Sequence, residues 1–282
     1  MNTILSLSAR PSVGRACLHQ QLRLSHCEAC IVACPTKAIT LKKGSVSIDD
    51  KMCTACGNCL FVCPTTALKN IPAPQRWFHK ATLVAPFSLF PPTIEELLLW
   101  HTQHNIRAIE IDPDTFPGWL VAIAALNLRL DELGESLWTI VAPQEKRINP
   151  GRRRWLYIHH KDASSGSVSP GTDVNRNRFA LSLNETLCYL CGACSRICSK
   201  NVIELNDENL TLRHSQCNGC QACTDVCIPQ ALKLTISINS PPTRLTVETK
   251  RCITCQQTFP GWPEGQNKCP ICQRHAFGMR EA

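Results

Sequence analysis

Charge and aromatic surface are both scarce in this sequence. Asp, Glu, Lys and Arg make up 18% of its 282 residues, and Phe, Trp and Tyr 6%. Long apolar runs are missing too. The longest uncharged ones, Ala81–Ile94 and Thr115–Leu128, contain proline and stop well short of the ~20 residues that span a bilayer. A transmembrane helix is therefore excluded. No basic stretch precedes the short apolar run at the N-terminus, and Arg15 stands where a small residue should precede a lipid-modified Cys17. No export signal is expected. Arg152–Arg154 lies mid-chain, where it cannot act as a twin-arginine signal. So little large apolar surface argues against a conventional core throughout, and bound metal is the leading substitute.

What abounds is cysteine, 20 residues of it. In a chain expected in the cytoplasm, disulfides are disfavoured and metal ligation is the default. The spacing sorts the cysteines into groups. Cys53, Cys56, Cys59 and Cys63 read C-x2-C-x2-C-x3-C, followed by Pro64. Cys188, Cys191, Cys194 and Cys198 repeat it, as do Cys217, Cys220, Cys223 and Cys227. Cys27, Cys30 and Cys34 are the last three of a further copy whose first place is Leu24, with Cys17 upstream. Cys252, Cys255, Cys269 and Cys272 complete the set, leaving no cysteine over. Three thiolates on a tight loop can each reach a different iron of one cubane. The fourth, expected to start a helical turn, points away and reaches a neighbouring cluster.

A longer repeat contains these motifs. The seven cysteines from Cys27 to Cys63 recur 164 positions on, from Cys191 to Cys227, with no gap. An apolar residue follows each fourth cysteine at the fifth place: Ile39, Leu68, Ile203 and Leu232. AITLKKGSVSID and VIELNDENLTLR both alternate around a turn signal, as a hairpin would. A two-cluster unit is thus duplicated and split by an insert.

On these motifs, residues 17–70 and 185–236 resemble the bacterial two-cluster [4Fe–4S] ferredoxins, and the chain is polyferredoxin-like. The resemblance implies two small α+β units, each around a pair of cubanes. Cys53, Cys56, Cys59 and Cys34 would hold one cluster, and Cys27, Cys30, Cys63 and a fourth ligand, for which Cys17 is the candidate, its neighbour. Cys217, Cys220, Cys223 and Cys198 would hold the third, and Cys188, Cys191, Cys194 and Cys227 the fourth. Leu24 in a ligand place, Ser199 in place of proline and Ile228 ahead of Pro229 depart from the pattern.

Between the copies the periodicity changes. ATLVAP, IRAIEI and LWTIVAP read as strands. Thr93 and Glu96 form a capping box ahead of the helical IEELLLWHTQH. Pro117 opens a second helix, with Trp119, Ile123, Leu126 and Leu130 on one face and Gly134 at its end. This is a small βαβαβ unit with a parallel sheet. It has no G-x-G-x-x-G and no phosphate-binding loop. The expected plan is α+β: a dicluster unit at 1–71, the α/β insert at 72–143 and a basic linker at 144–180. A second dicluster unit at 181–237 and a zinc-ribbon tail at 238–282 follow. Lys146, Arg147, Arg152, Arg153 and Arg154 concentrate charge in the linker, and His159 and His160 read as surface residues.

C-x2-C-x13-C-x2-C in the tail suits one tetrahedral ion, zinc or mononuclear iron. The tail is somewhat similar to the iron knuckles of rubrerythrins. Those carry glycine after each cysteine pair, where this chain has Gln256 and Gln273, so zinc is favoured. The ribbon is expected to be an independent module. The net charge of +8 invites a nucleic-acid partner. Four cubanes and one zinc, each about −2 with its thiolates, would bring the loaded protein to about −2, and no nucleic-acid partner is expected.

The functional expectation is soluble electron transfer with redox partner proteins such as a dehydrogenase or reductase. The alternative is an accessory factor in metalloenzyme maturation, since the layout resembles iron–sulfur proteins encoded near bacterial molybdenum-dependent formate dehydrogenases. Radical S-adenosylmethionine chemistry needs C-x3-C-x2-C. The required places hold Lys37, Thr66, Asn201 and Gln230, so an electron carrier without its own catalytic site is expected. No G-x-S-x-G or H-E-x-x-H occurs.

Overall fold

The computed structural model describes residues 10–143, 163–171 and 178–275. The chain separates into two units, Met1–Cys17 with Glu28–Val174, and Leu18–Cys27 with Asn175–Ala282. The short helical turn α1 (Leu18–Gln21) therefore counts with the second unit.

In the first unit, β1 (Ser12–Val13) is followed by the short helix α2 (Ala29–Val32) and the expected hairpin of β2 (Ile39–Lys42) and β3 (Ser45–Ile48). Lys43 and Gly44 turn the hairpin, both with positive φ (52° and 75°), as a two-residue turn of this hand requires. Helix α3 (Asn58–Val62) leads to β4 (Leu68–Lys69), which pairs back onto β1 with Leu68 opposite Val13.

The insert then builds a five-stranded sheet. Its strands are β5 (Arg76–His79), β6 (Thr82–Val84), β7 (Ala108–Glu110), β8 (Thr139–Val141) and β9 (Ser164–Gly166), in the order β8-β7-β6-β5-β9. Helices α4 (Ile94–Gln103) and α5 (Pro117–Glu132) connect the parallel strands β6, β7 and β8. The expected βαβαβ core is thus present, with two antiparallel strands added. β9 falls inside the stretch expected to be a linker. Its Ser and Gly read as spacer composition, but they pair with β5, Ser164 opposite Phe78 and Gly166 opposite Arg76. Lys146, Arg147, Arg152, Arg153, Arg154, His159 and His160 lie outside the described residues.

One apolar cluster runs from Ile39, Leu60 and Phe61 of the cysteine-bearing part to Leu97, Trp100, Ile109 and Trp119 of the insert. The expected border at 71/72 cuts through this core. Trp119, Ile123, Leu126 and Leu130, the face anticipated for α5, are all fully buried.

A buried polar network sits in the same core. Glu96 is fully buried and takes a bidentate contact from Arg76, Nε to Oε1 at 2.8 Å and Nη2 to Oε2 at 3.0 Å. Arg76 Nη1 also donates to Ser88 Oγ (2.7 Å), and its guanidinium lies 4.9 Å from the Trp119 ring centre. Trp119 Nε1 donates to Ser88 O (2.9 Å). The capping box is therefore half formed. Thr93 Oγ1 accepts from Glu96 N–H at 3.3 Å, but the Glu96 carboxylate turns to Arg76 rather than back to residue 93.

The second unit has a similar order of elements. β10 (Phe179–Leu183) leads to α6 (Ala193–Ile197), the hairpin β11 (Ile203–Leu205) and β12 (Asn209–Leu212), and helix α7 (Ala222–Asp225). β13 (Leu232–Ile236) then pairs with β10, Leu232 opposite Leu183. The tail is not separate from it. β14 (Thr243–Thr246) extends the hairpin sheet by pairing with β12, and Val247 and Trp262 enter the second unit's apolar core. The knuckle itself sits on β15 (Glu248–Arg251), β16 (Thr258–Gly261) and the short helix α8 (Pro270–His275). The independent-module expectation is corrected: a free strand edge on β12 and a buried indole tie the tail in.

Removing one partner of a buried ion pair strands the other charge, at a cost of about 3–5 kcal/mol. Glu96→Gln is expected to destabilise the first unit by that amount in denaturant unfolding followed by tryptophan fluorescence. Arg76→Met with Glu96→Leu should cost less than either single change, because no orphan charge remains.

Candidate iron–sulfur and metal centres

Each complete C-x2-C-x2-C loop bends the same way. The residues before and after its middle cysteine have positive φ: Ala55 (53°) and Gly57 (82°), Leu190 (52°) and Gly192 (70°), Gly219 (75°) and Gln221 (63°). Three of these six are not glycine, a rare choice for alanine, leucine or glutamine. Backbone turned in this way gathers consecutive N–H groups into a concave nest suited to anions. At Gly219 a side chain is excluded outright, since a Cβ would fall 2.4 Å from the Phe179 ring.

The third cysteine of each motif lies in a helix, Cys30 in α2, Cys59 in α3, Cys194 in α6 and Cys223 in α7. The fourth follows the helix end, as Cys63 and Cys198 do as C-caps. This corrects the expectation that the fourth cysteine starts a helical turn. Three residues on, all four copies enter the left-handed region again, at Lys37, Thr66, Asn201 and Gln230. The next N–H then folds back onto the sulfur: Ala67 to Cys63 Sγ, Val202 to Cys198 Sγ and Ala231 to Cys227 Sγ, each 3.3 Å. Burial pushes the Cys34 thiol up, but the Thr36 hydroxyl and the N–H groups of Ile39, Ala38 and Thr36 outweigh it and hold it below the usual range.

These turns bring Cys34 and Cys198 to the other loop of their unit. A small pocket is walled by Cys53, Cys56, Cys59 and Cys34 with Ile39, Ile48 and Ile71. A second is walled by Cys217, Cys220, Cys223 and Cys198 with Leu181, Val202 and Leu234. Burial, then the neighbouring thiols Cys56, Cys30, Cys34 and Cys53, push Cys59 up to about 12. Burial, with Cys188, Cys191 and Cys227 beside it, pushes Cys194 up to about 11. Four converging thiols, apolar walls and a ring of inward N–H groups are a donor set and a cavity that fit a cubane.

The incomplete copy is built differently. Glu28, which follows Cys27, has φ −119° in place of the left-handed value. Leu24 is largely exposed and is not the counterpart of Cys188. Gly14 N–H bonds Ala67 O (2.7 Å) just as Asn184 N–H bonds Ala231 O (2.8 Å). From these matched anchors, Cys17 N–H returns to Gly14 O (3.0 Å) and Cys188 N–H to Asn184 O (3.1 Å). Cys17 thus stands three residues after its anchor, where Cys188 stands four after its own, and nine residues separate Cys17 from Cys27 where Tyr189 and Leu190 separate Cys188 from Cys191. Cys17, Cys30 and Cys63 all pack on the first unit's core. Cys27 belongs to the segment counted with the second unit, with its carbonyl 2.8 Å from His19 Nε2.

Thr36 and Thr65 were missed from sequence. Their hydroxyls lie 3.7 Å from Cys34 Sγ and Cys63 Sγ. The signal was present as CPTK and CPTT, against CSKN and CIPQ in the second copy.

The tail is a tighter site. The sulfurs of Cys252, Cys255, Cys269 and Cys272 all lie within 4.8 Å of one another, with Cys255 and Cys269 3.8 Å apart. That is the edge of a tetrahedron with metal–sulfur bonds of about 2.3 Å. Gln256 takes the left-handed turn (φ 60°) that glycine usually supplies. The N–H groups of Cys255 and Cys269 hold the Cys252 thiol down at about 6. This set fits one thiophilic ion such as zinc or iron.

Residues 25–67 match the 4Fe-4S dicluster domain family. The match covers all seven cysteines from Cys27 to Cys63 and stops short of Cys17. The match and the many cysteines support a 4Fe–4S, ferredoxin-type reading of that segment. No curated protein matches the chain. Among the described residues, no helix is long and apolar enough to cross a membrane.

Cys59, Cys194 and Cys217 are raised to about 12, 11 and 11, so near pH 7 the metal-free chain holds them as neutral thiols. Ligation takes thiolates and must release these protons. Anaerobic cluster reconstitution, followed by visible absorbance, should therefore speed up as pH rises toward those values, by up to about tenfold per unit where one thiolate limits the rate. A rate flat between pH 7 and 9 would contradict the raised thiols.

Proposed function

We propose that this protein is a polyferredoxin that carries single electrons between redox partner proteins, such as a dehydrogenase and a reductase. In this reading it holds four [4Fe–4S] clusters, paired two to a unit. Cys34 joins Cys53, Cys56 and Cys59 at one cluster. Cys63 joins Cys30, Cys27 and Cys17 at its neighbour. Cys198 joins Cys217, Cys220 and Cys223, and Cys227 joins Cys188, Cys191 and Cys194. Cys252, Cys255, Cys269 and Cys272 hold a zinc ion.

The observation that carries the reading is the exchange of fourth cysteines, which walls two pockets with thiols from both loops of a unit. An exchange of this kind draws two clusters close together, as a relay of single electrons needs. The clusters supply the one-electron chemistry. The chain's own contribution is to hold the thiolates, exclude water with apolar walls and aim N–H groups at sulfur, the factors that set cluster potentials.

Anaerobic analysis should find about sixteen iron, sixteen sulfide and one zinc per chain, from four cubanes and one single-ion site. The loaded protein should be reduced by dithionite and reoxidised reversibly. Eight iron or fewer after full reconstitution would sink the four-cluster reading.

The matched anchors of Cys17 and Cys188 support Cys17 as the ligand that the first motif lacks. Cys17→Ser, purified without oxygen, is expected to leave one cubane with an exposed iron. That iron is readily lost, giving a new [3Fe–4S] signal in electron paramagnetic resonance or the loss of one cluster in four. An unchanged spectrum and iron count would show that the site closes through another group.

A further inference from the structure

The single-ion knuckle and the Cys188 loop are joined by a short line of contacts. Strands β15 and β16 pair in register from Glu248 opposite Gly261 to Arg251 opposite Thr258. Cys252 follows one strand at the knuckle end, and Trp262 follows the other at the far end. Trp262 is 8% exposed in the second unit's core, and its Nε1–H donates to the carbonyl of Cys188 at 2.9 Å. Its own turn is pinned. Gly265 N–H bonds Trp262 O (2.9 Å), while Lys250 Nζ reaches Pro263 O and Gly265 O, both at 2.9 Å. The chain beyond returns to the knuckle through Ile253 N–H to Asn267 O (3.0 Å) and Cys269 N–H to Cys252 Sγ (3.3 Å). Both ends of the stretch bearing Trp262 are thus fastened to residues beside, or belonging to, the metal site.

Next to this contact lies a cleft of about 250 Å³ with Cys188, Tyr189 and Leu190 on one wall and Phe259, Trp262 and Lys268 among the others. It offers water a path to the Cys188 loop should the indole move.

We propose that Trp262 is a positioning residue for the cluster held by Cys188, Cys191, Cys194 and Cys227, and that metal in the knuckle keeps it seated. The inference rests on the four-cluster reading. Without the ion, four thiols with nothing to bind no longer fasten the hairpin tip, and the turn bearing Trp262 loses that support. The Cys188 carbonyl then loses its donor and water enters the cleft. Reduction adds one negative charge to an already anionic cluster, and a wetter surrounding favours the more charged state. The potential of that cluster therefore rises as the knuckle empties, while the other three stay where they are. The tail becomes a device by which metal supply tunes one end of the relay.

The test is a redox titration of the full-length, anaerobically reconstituted protein, followed by electron paramagnetic resonance. Trp262→Ala should raise one midpoint of four. An effect of about tenfold in the reduced-to-oxidised ratio at fixed potential corresponds to about 59 mV. Trp262→Phe, which keeps the ring and removes the donor, should shift the same signal less. The Cys252→Ser, Cys269→Ser double variant, which cannot hold the ion, should shift that same signal upward, and adding Trp262→Ala to it should bring little more, as expected of sites acting through one contact. The proposal is overturned if the double variant keeps all four midpoints at their original values, or if neither tryptophan variant moves any. Should Trp262→Ala lose iron on purification, Trp262→Phe and the double variant decide alone. Failure of the underlying reading is separately visible, as an iron content below sixteen in the unaltered protein.

Discussion

Backbone N–H groups pointed at sulfur are what the cysteine sites depend on. A cluster with four thiolates is an anion, and left-handed residues turn backbone N–H groups toward it. Ala55, Leu190 and Gln221 accept a conformation that side chains disfavour, and Lys37, Thr66, Asn201 and Gln230 do the same after each fourth cysteine. A left-handed residue without glycine costs about 1–2 kcal/mol, so the seven at the cysteine loops, three in the first unit and four in the second, carry appreciable strain. Such strain persists where the surrounding structure over-determines it. Here the bends converge on the same thiols, which is why the loops read as built for an anionic group.

The two units share the cysteine spacing but differ in the shell around sulfur. Thr36 and Thr65 place hydroxyls near Cys34 and Cys63, where Lys200 and Pro229 stand in the second unit. In the proposed reading, a hydroxyl that donates to sulfur would favour the more negative, reduced state of a first-unit cluster. The second unit has the tail instead, with an indole against the carbonyl of Cys188. Unequal surroundings of this kind would give the proposed relay a downhill direction.

The insert serves the first unit mainly as core. The cysteine-bearing part is short of large apolar side chains, and Leu97, Trp100, Trp119 and Leu126 supply them beside Leu60 and Phe61. Within that core the Arg76–Glu96 pair is fully desolvated, a choice that fixes one arrangement of α4 against β5 more than it adds stability.

Cysteine spacing by itself marked the dicluster segment at 25–67 and the gathered thiols of Cys252, Cys255, Cys269 and Cys272, because ligand geometry allows few spacings. The insert's parallel strands and both of its helices were legible from periodicity: buried faces of α5 repeat at helical spacing. What spacing could not carry were relations across the chain. Spacing offered Cys17 as a candidate, but the anchor it shares with the second unit, Gly14 N–H on Ala67 O beside the β1–β4 pairing, is a relation across the chain. β9 looked like linker because Ser164, Ser165 and Gly166 carry no pattern of their own; what makes them a strand is their pairing with β5. Glu96 looked like a cap until Arg76, twenty positions away, claimed its carboxylate. The tail looked independent because one strand edge and one indole, which bind it to the second unit, leave no mark on local sequence. Covalent neighbours specify ligand sets and periodic faces, whereas burial partners are decided only when distant segments compete for the same core.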